Sequence, residues 1–192
     1  MKKNLLISIY MTVATTVLLG VIYPLVVTGL AQLIFPAKAN GELIVQNGQL
    51  IGSRLIGQGF SGPGYFHSRP SAAGNGYDAA NSGGSNLGPT NQKLIDRVKA
   101  DVAADQSDDP GKPVPIDLVT TSASGFDPDI TPAAAAFQIP RIAQARGASE
   151  GAVRALAAKY TRSRQLGFLG EPRVNVLELN LALDAAFPPA AR

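Results

Sequence analysis

From Leu5 to Phe35 the chain carries no charged side chain. A helix needs about 20 apolar residues to cross the ~30 Å hydrocarbon core of a bilayer at about 1.5 Å rise per residue. The run is therefore long enough to span a membrane with tilt or overhang. A buried core helix rarely needs so long an apolar stretch. A cleaved leader is the stronger rival, because Lys2 and Lys3 resemble its basic start and Ala37-Lys38-Ala39 resembles a cleavage site. Its apolar region, however, is ordinarily only about 7–15 residues long. Lys2 and Lys3 flank one end of the run while Lys38 and Glu42 nearly cancel at the other. The positive-inside rule then puts the N-terminus in the cytoplasm of a bacterial inner (plasma) membrane and the chain from about Ala37 in the periplasm. Two regions are expected: 1–36, a cytoplasmic tip and transmembrane helix, and 37–192, one soluble extracytoplasmic domain. Pro24 predicts a kink or a compensating partner within the span. Gly20, Pro24 and Gly29 are candidates for a face that packs on another helix.

The soluble region reads as α+β. Gly41 to Phe60 alternates apolar and polar residues around Asn47-Gly48, the dipeptide favoured where both central turn residues need positive φ, so a β-hairpin is expected. Gly57 to Pro89 is rich in Gly, Ser, Asn and Pro, and so long a connection is either mobile or functional. Leu94, Ile95, Val98 and Val102 recur at helical spacing behind Thr90 as cap. After a Pro-rich joint at Pro110 to Pro115, Ile116 to Thr121 is a short β-branched run suited to a strand. Thr131-Pro132 starts a helix that Pro140 should kink or interrupt. Another helix begins near Ser149, with Val153, Leu156, Ala157 and Tyr160 on one face. Val174 to Leu183 favours a strand, although Leu177, Leu181 and Asp184 also fit a helical stripe. No internal repeat is evident.

The chemistry is sparse. There is no cysteine and a single histidine, His67, so thiol nucleophiles, zinc thiolates and polyhistidine metal sites are excluded. No GxSxG elbow accompanies His67, which leaves it without a nucleophile to serve. Asp127 and Asp129 could ligate a hard cation, but acids just before a helix more commonly stabilise its positive end. The loops Asn81 to Asn86 and Ser122 to Gly125 could wrap an oxyanion with backbone N–H groups, yet neither is a Walker motif and no lysine accompanies them. Turn geometry alone accounts for their glycines. Lys159, Arg162 and Arg164 form the densest basic group, read as a solvated helix end. The net charge of +3 includes Lys2 and Lys3, so the soluble region lacks the basic field that nucleic acid would require.

Taken in order, GSRLIGQ (Gly52 to Gln58), YFHSRPSA (Tyr65 to Ala72), NSGGSNLGPTN (Asn81 to Asn91), SASGFDPDIT (Ser122 to Thr131) and LGEPRVNVLELNLALD (Leu169 to Asp184) resemble the C subunit of the bacterial high-affinity potassium-transporting P-type ATPase, the Kdp complex. The resemblance covers the span and most of the domain. It implies a non-catalytic accessory subunit beside a potassium-conducting subunit and a P-type ATPase subunit, with ATP and K+ handled by the complex. No catalytic residue, metal or bound cofactor is expected in this chain, which lacks the phosphorylatable DKTGT motif expected of the ATPase subunit itself. The family subunit is credited with stabilising the complex and raising the ATP affinity of the ATPase subunit. A nucleotide-holding segment has been proposed there, which corresponds to Ser122, Ser124, Gly125 and Gln138. The orientation above opposes direct ATP contact, since ATP is cytoplasmic. Ala123 and Phe126 also depart from the family's SGSGLDP pattern. On the long loop, Tyr65, Phe66, Arg69 and Tyr77 are the expected anchors to the potassium-conducting subunit. The alternatives are a membrane-tethered periplasmic hydrolase built on His67 or on Asp127 and Asp129, and an anion- or solute-binding module built on the glycine-rich loops.

Overall fold

The computed structural model describes residues 2–107 and 109–189. The chain divides into two units, one up to Ile51 and one from Gly52.

In the first unit, α1 (Lys2–Thr15), a π-helical stretch (Thr16–Ile22) and α2 (Tyr23–Ile34) run as one helix of 33 residues. It is about 50 Å long at the usual rise. Its length and composition suffice to cross a membrane, and none of its most apolar stretch is buried within the protein. Two of its hydroxyls turn back onto the backbone: Ser8 Oγ donates to Asn4 O at 2.6 Å and Thr15 Oγ1 to Met11 O at 2.7 Å. Pro24 lacks the N–H a regular helix would use. The helix meets that loss with the π-helical stretch just before it, where Tyr23 N–H reaches back to Leu18 O, an i→i+5 bond that accommodates the misfit without breaking the ladder. Beyond a single turn, α3 (Pro36–Ala39), the chain enters β1 (Leu43–Gln46) and β2 (Gln49–Ser53). Asn47 (φ 52°) and Gly48 (φ 77°) make the expected turn, but pairing ends at Ser53 rather than continuing to Phe60.

The second unit is mixed helix and strand. Its elements are α4 (Gln92–Asp105), α5 (Ile116–Val119), β3 (Asp129–Ile130), α6 (Pro132–Arg146), α7 (Glu150–Lys159), β4 (Thr161–Arg162), β5 (Arg173–Asn175) and α8 (Val176–Ala186). A small antiparallel sheet has the order β3-β5-β4, with Ile130 opposite Val174 and Thr161 opposite the same valine. The core lies where α6, α7 and α8 meet this sheet: Ile139, Ile142, Val153, Val174, Val176, Leu179 and Leu183 are essentially inaccessible, and Phe66 joins them from the irregular loop.

Each main helix begins at a polar cap that fills an orphan N–H. Thr131 accepts from Ala134 N at 3.1 Å and is followed by Pro132 at the first turn, as expected. Ser149 does the same for α7. The cap of α4 is Asn91, which accepts from Lys93 N at 2.9 Å, and not Thr90. Pro140 sits inside α6 without ending it, so the expected interruption does not occur; the helix closes instead at Gly147 in the left-handed conformation (φ 61°).

Two expected strands are helices. Ile116 to Thr121 forms the single turn α5, closed by Thr120 Oγ1 on Ile116 O at 2.7 Å. The turn aims the buried Asp117 at Thr131, whose N and Oγ1 donate to its carboxylate at 2.7 and 3.1 Å. Val174 to Leu183 is a strand only to Asn175 and then becomes α8. Asn175 Oδ1 caps that helix through Glu178 N at 3.0 Å. The buried positions Val176, Leu179, Asn180 and Leu183 recur at helical spacing, so the segment is the helix that Leu177, Leu181 and Asp184 also fitted, although its buried face is a different one, with Leu181 and Asp184 only half-buried.

Candidate functional site: the clamped loop and its ion pairs

The long segment between β2 and α4 has no regular structure, so its backbone groups need other partners once buried. Two side-chain amides supply them. Asn180 Oδ1 accepts from Phe66 N and its Nδ2 donates to Phe66 O, both at 2.9 Å. Gln138 Oε1 accepts from His67 N at 2.7 Å and its Nε2 donates to His67 O at 3.1 Å. Helices α8 and α6 thus offer, through two buried amides, the paired donor and acceptor that a neighbouring strand would offer in a sheet. Arginines of α6 hold the preceding carbonyls. Arg141 donates to Pro63 O at 2.7 Å and Tyr65 O at 3.0 Å, and Arg146 Nε donates to Gly64 O at 2.8 Å. Arg146 is itself almost wholly buried, pairs with Asp184 at 2.7 Å, and lies 4.6 Å over the Tyr65 ring.

Arg69 anchors the next stretch. It pairs with Asp127 at 2.9 Å and donates to Thr120 O, Thr120 Oγ1 and Thr121 O, each at 3.3 Å. The Tyr77 hydroxyl donates to Arg69 O, and burial raises the phenol's pKa. The four anchor candidates are consequently engaged within the domain: Phe66 is fully inaccessible, while Tyr65, Arg69 and Tyr77 are half-buried. Phe66 is thus a core residue and has no surface to present to another chain.

The structure brings the two glycine-rich loops together, against each other. Gly83 N donates to Ser124 O at 3.0 Å and Ser82 Oγ to the same carbonyl at 2.9 Å. Gly125 (φ 76°) leaves no room for a side chain: a Cβ there would stand 2.6 Å from the Ala73 Cβ. Ser122 is buried, and Ser124 Oγ accepts from Phe126 N at 3.1 Å. Gln138 has both ends of its amide committed, with Arg141 also donating to Oε1 at 2.8 Å. Gly125, and Gly84 with Ala123 O 3.0 Å from where its Cβ would stand, therefore serve close loop packing, and Gln138 serves the clamp.

The cap of α6 is held by Asp117, whose carboxylate accepts from Thr131, while Asp127 and Asp129 each face an arginine. Asp127 belongs to Arg69, and Asp129 pairs with Arg173 at 2.9 Å. Burial, aided by the nearby Asp127, nevertheless raises the Asp129 pKa against the pull of Arg173. Both acids and both arginines line a cavity of about 230 Å³ with Asp117 and Glu171. His67 Nε2 lies 2.9 Å from Gly62 O, to which it donates. Of the basic group, Arg162 lies in β4 and pairs with Glu178, and Arg164 pairs with Glu171, each at 2.6 Å. On the span, Gly20 and Pro24 are four residues apart and share a face. Gly29 is turned away by well over 90° at about 100° per residue.

The amide clamp was not read from the sequence. Its one local signal is an amide flanked directly by apolar residues, Gln138 between Phe137 and Ile139, and Asn180 between Leu179 and Leu181.

Residues 5–185 match the family described as KdpC: K+-transporting ATPase, c chain. The chain is 67% identical over 188 residues to the potassium-transporting ATPase KdpC subunit of Koribacter versatilis (strain Ellin345), covering 98% of this chain and 97% of that one. It is 63% identical over 182 residues to the subunit of the same name from Acidobacterium capsulatum, covering 95% and 98%. With that of Rhodopseudomonas palustris (strain BisB18) it shares 55% over 198 residues, covering 97% and 100%. With its apolar helix, its clamped loop and this similarity along nearly the whole chain, the protein belongs to the KdpC family, the c chains of K+-transporting ATPases.

Proposed function

We propose that this chain is the non-catalytic accessory subunit of an ATP-driven potassium uptake complex, with its N-terminus cytoplasmic and the domain from about Ala37 in the periplasm. In this reading it helps assemble a potassium-conducting subunit with a P-type ATPase subunit and influences ATP use through the membrane helix. The observation that carries the reading is the internal commitment of the groups a catalytic or nucleotide site would need. Gln138 and Gly125 are locked into loop packing. His67 faces its own loop, and each of Asp127 and Asp129 holds an arginine. Lys2 and Lys3 support the orientation. That orientation leaves the span, and within it the face of Gly20 and Pro24, as the route of influence towards a cytoplasmic ATPase.

The absence of native cysteine makes the orientation test clean. Single cysteines at the exposed Ser61 and Ala103 should react with an impermeant maleimide added from the periplasmic side of intact spheroplasts. Labelling only after the cytoplasmic side is opened would sink the reading. Because truncation of Arg69 also removes bonds that hold the domain, the loop's docking on the potassium-conducting subunit is better probed at the exposed Asn75. Asn75→Arg should reduce copurification of that subunit while leaving the domain's melt unchanged. Undiminished copurification would remove the loop from the interface.

A further inference from the structure

Beyond the sheet, β4 and β5 are joined by a tight turn closed by a pair of backbone bonds, Gln165 N to Leu169 O and Leu169 N to Gln165 O, both at 2.9 Å. Its tip is apolar and faces water: Leu166 is 83% exposed and Phe168 68%. Leu166 also adopts φ 53°, followed by Gly167 at 82°. A side chain with a Cβ resists that region, and where it occurs Asn, Asp or Gly is the usual occupant. A leucine held there gains nothing from the domain, since its side chain packs on almost none of it. Backbone strain and apolar exposure coincide on one residue, and an apolar medium outside the domain relieves the second of them.

The flanks of the turn are cationic. Between Lys159 and Arg173 stand Lys159, Arg162, Arg164 and Arg173 against one carboxylate, Glu171. The acids facing them from other elements do not restore neutrality. Asp129 takes Arg173, and Glu178 is shared by Arg162 and Arg54, each at 2.6 Å. A leucine and a phenylalanine at a rigid tip, with a surplus of long cationic side chains behind them, is the arrangement that sinks into the acyl boundary of a bilayer while its cations sit among anionic headgroups. The domain is tethered to the apolar helix by the stretch from Ile34 to Gly52, which spans at most about 65 Å when fully extended.

We propose that the Gln165–Leu169 turn is a membrane-interface tip: Leu166 and Phe168 insert into the same bilayer that holds the N-terminal helix, and Lys159, together with Arg162 and Arg164, which stay half-exposed beside their carboxylate partners Glu178 and Glu171, faces anionic phospholipid headgroups. The proposal rests on Lys2–Ile34 spanning the membrane.

The chain contains no tryptophan, so Phe168→Trp places a single reporter at the tip. The full chain carrying it is reconstituted alone into nanodiscs of phosphatidylglycerol and phosphatidylcholine, with and without brominated acyl chains. Blue-shifted emission, quenched about twofold or more by the brominated lipid, is the expected result for an inserted side chain. A companion variant, Ile116→Trp, reports from another exposed apolar residue, 74% accessible, and should remain unquenched. Adding Leu166→Asp to the tip reporter should abolish the quenching, and replacing phosphatidylglycerol by phosphatidylcholine should weaken it. A chain that incorporates into discs but shows no quenching at position 168 overturns the tip while leaving the span intact. Failure to incorporate overturns both. Equal quenching at position 116 shows indiscriminate adherence and overturns the proposal. A tryptophan that becomes shielded only when the other ATPase subunits are present assigns the turn to a protein contact and also overturns it.

Discussion

The two units of this chain solve the same physical problem in opposite ways. In the N-terminal helix the backbone pairs with itself over a few residues, including the π-helical bond from Tyr23 to Leu18 that accommodates Pro24. The hydroxyls of Ser8 and Thr15 fold back within one turn. This local self-sufficiency is what a hydrocarbon environment demands of a single segment. The domain beyond Gly52 relies on distant residues. Phe66 is held by Asn180, His67 by Gln138 and Gly64 by Arg146. The difference teaches why the loop can be long, glycine-rich and still ordered: amide and guanidinium groups on α6 and α8 stand in for the strand it lacks.

The largest test of that contrast is Phe66→Ala. Removing a wholly buried phenylalanine from the core should cost the domain about 3–5 kcal/mol, read as a lowered midpoint in denaturant melts of the full chain in detergent. A shift of a few tenths would mean that the loop is not part of the cooperative unit. Next is Gln138→Ala, which strands the His67 peptide without its buried partners. The expected cost is about 1–3 kcal/mol, together with faster amide hydrogen exchange at His67; unchanged exchange there would break the clamp account.

Asp129→Asn sharpens the comparison through pH. Burial raises the folded-state pKa of Asp129, so the folded domain holds that proton more tightly than the unfolded chain. The ionised form therefore costs stability, which falls as pH rises from the ordinary carboxylate value through the raised one and is flat above it. The asparagine variant does not titrate. Its melts across the acid range should lose that part of the slope, and an unaltered slope would show that Asp129 does not contribute it. The smallest effect is expected at the other unit: Leu19→Ala, on the helix with no buried residues, should leave the domain's melting midpoint within about 0.5 kcal/mol of the parent. A larger change would mean that the units are energetically coupled.

Features set by adjacent residues were legible without a structure. Asn47-Gly48 announced the hairpin turn, Thr131-Pro132 the start of α6, Ser149 the start of α7, and the uncharged run the apolar helix. Val174 to Leu183 misled because alternation and valine content resemble a strand. The capping pattern Asn175-x-x-Glu178 was the decisive signal. Ile116 to Thr121 misled for a different reason. Its short β-branched run finds no sheet partner, and Asp117 is needed at Thr131.

The candidate site divides along the same line. Residue types alone excluded thiol and polyhistidine chemistry, and five ordered motifs pointed to the family. That Gly125 packs against Ala73, that Asp127 and Asp129 each hold an arginine, and that Phe66 lies in the core follow from contacts between residues far apart in the chain. Local propensity, capping and hydrophobic period act over a few residues and are written in the order of the sequence. Which amide meets which peptide, and which side chain loses its water, depends on how the elements pack, and only the tertiary structure decided that.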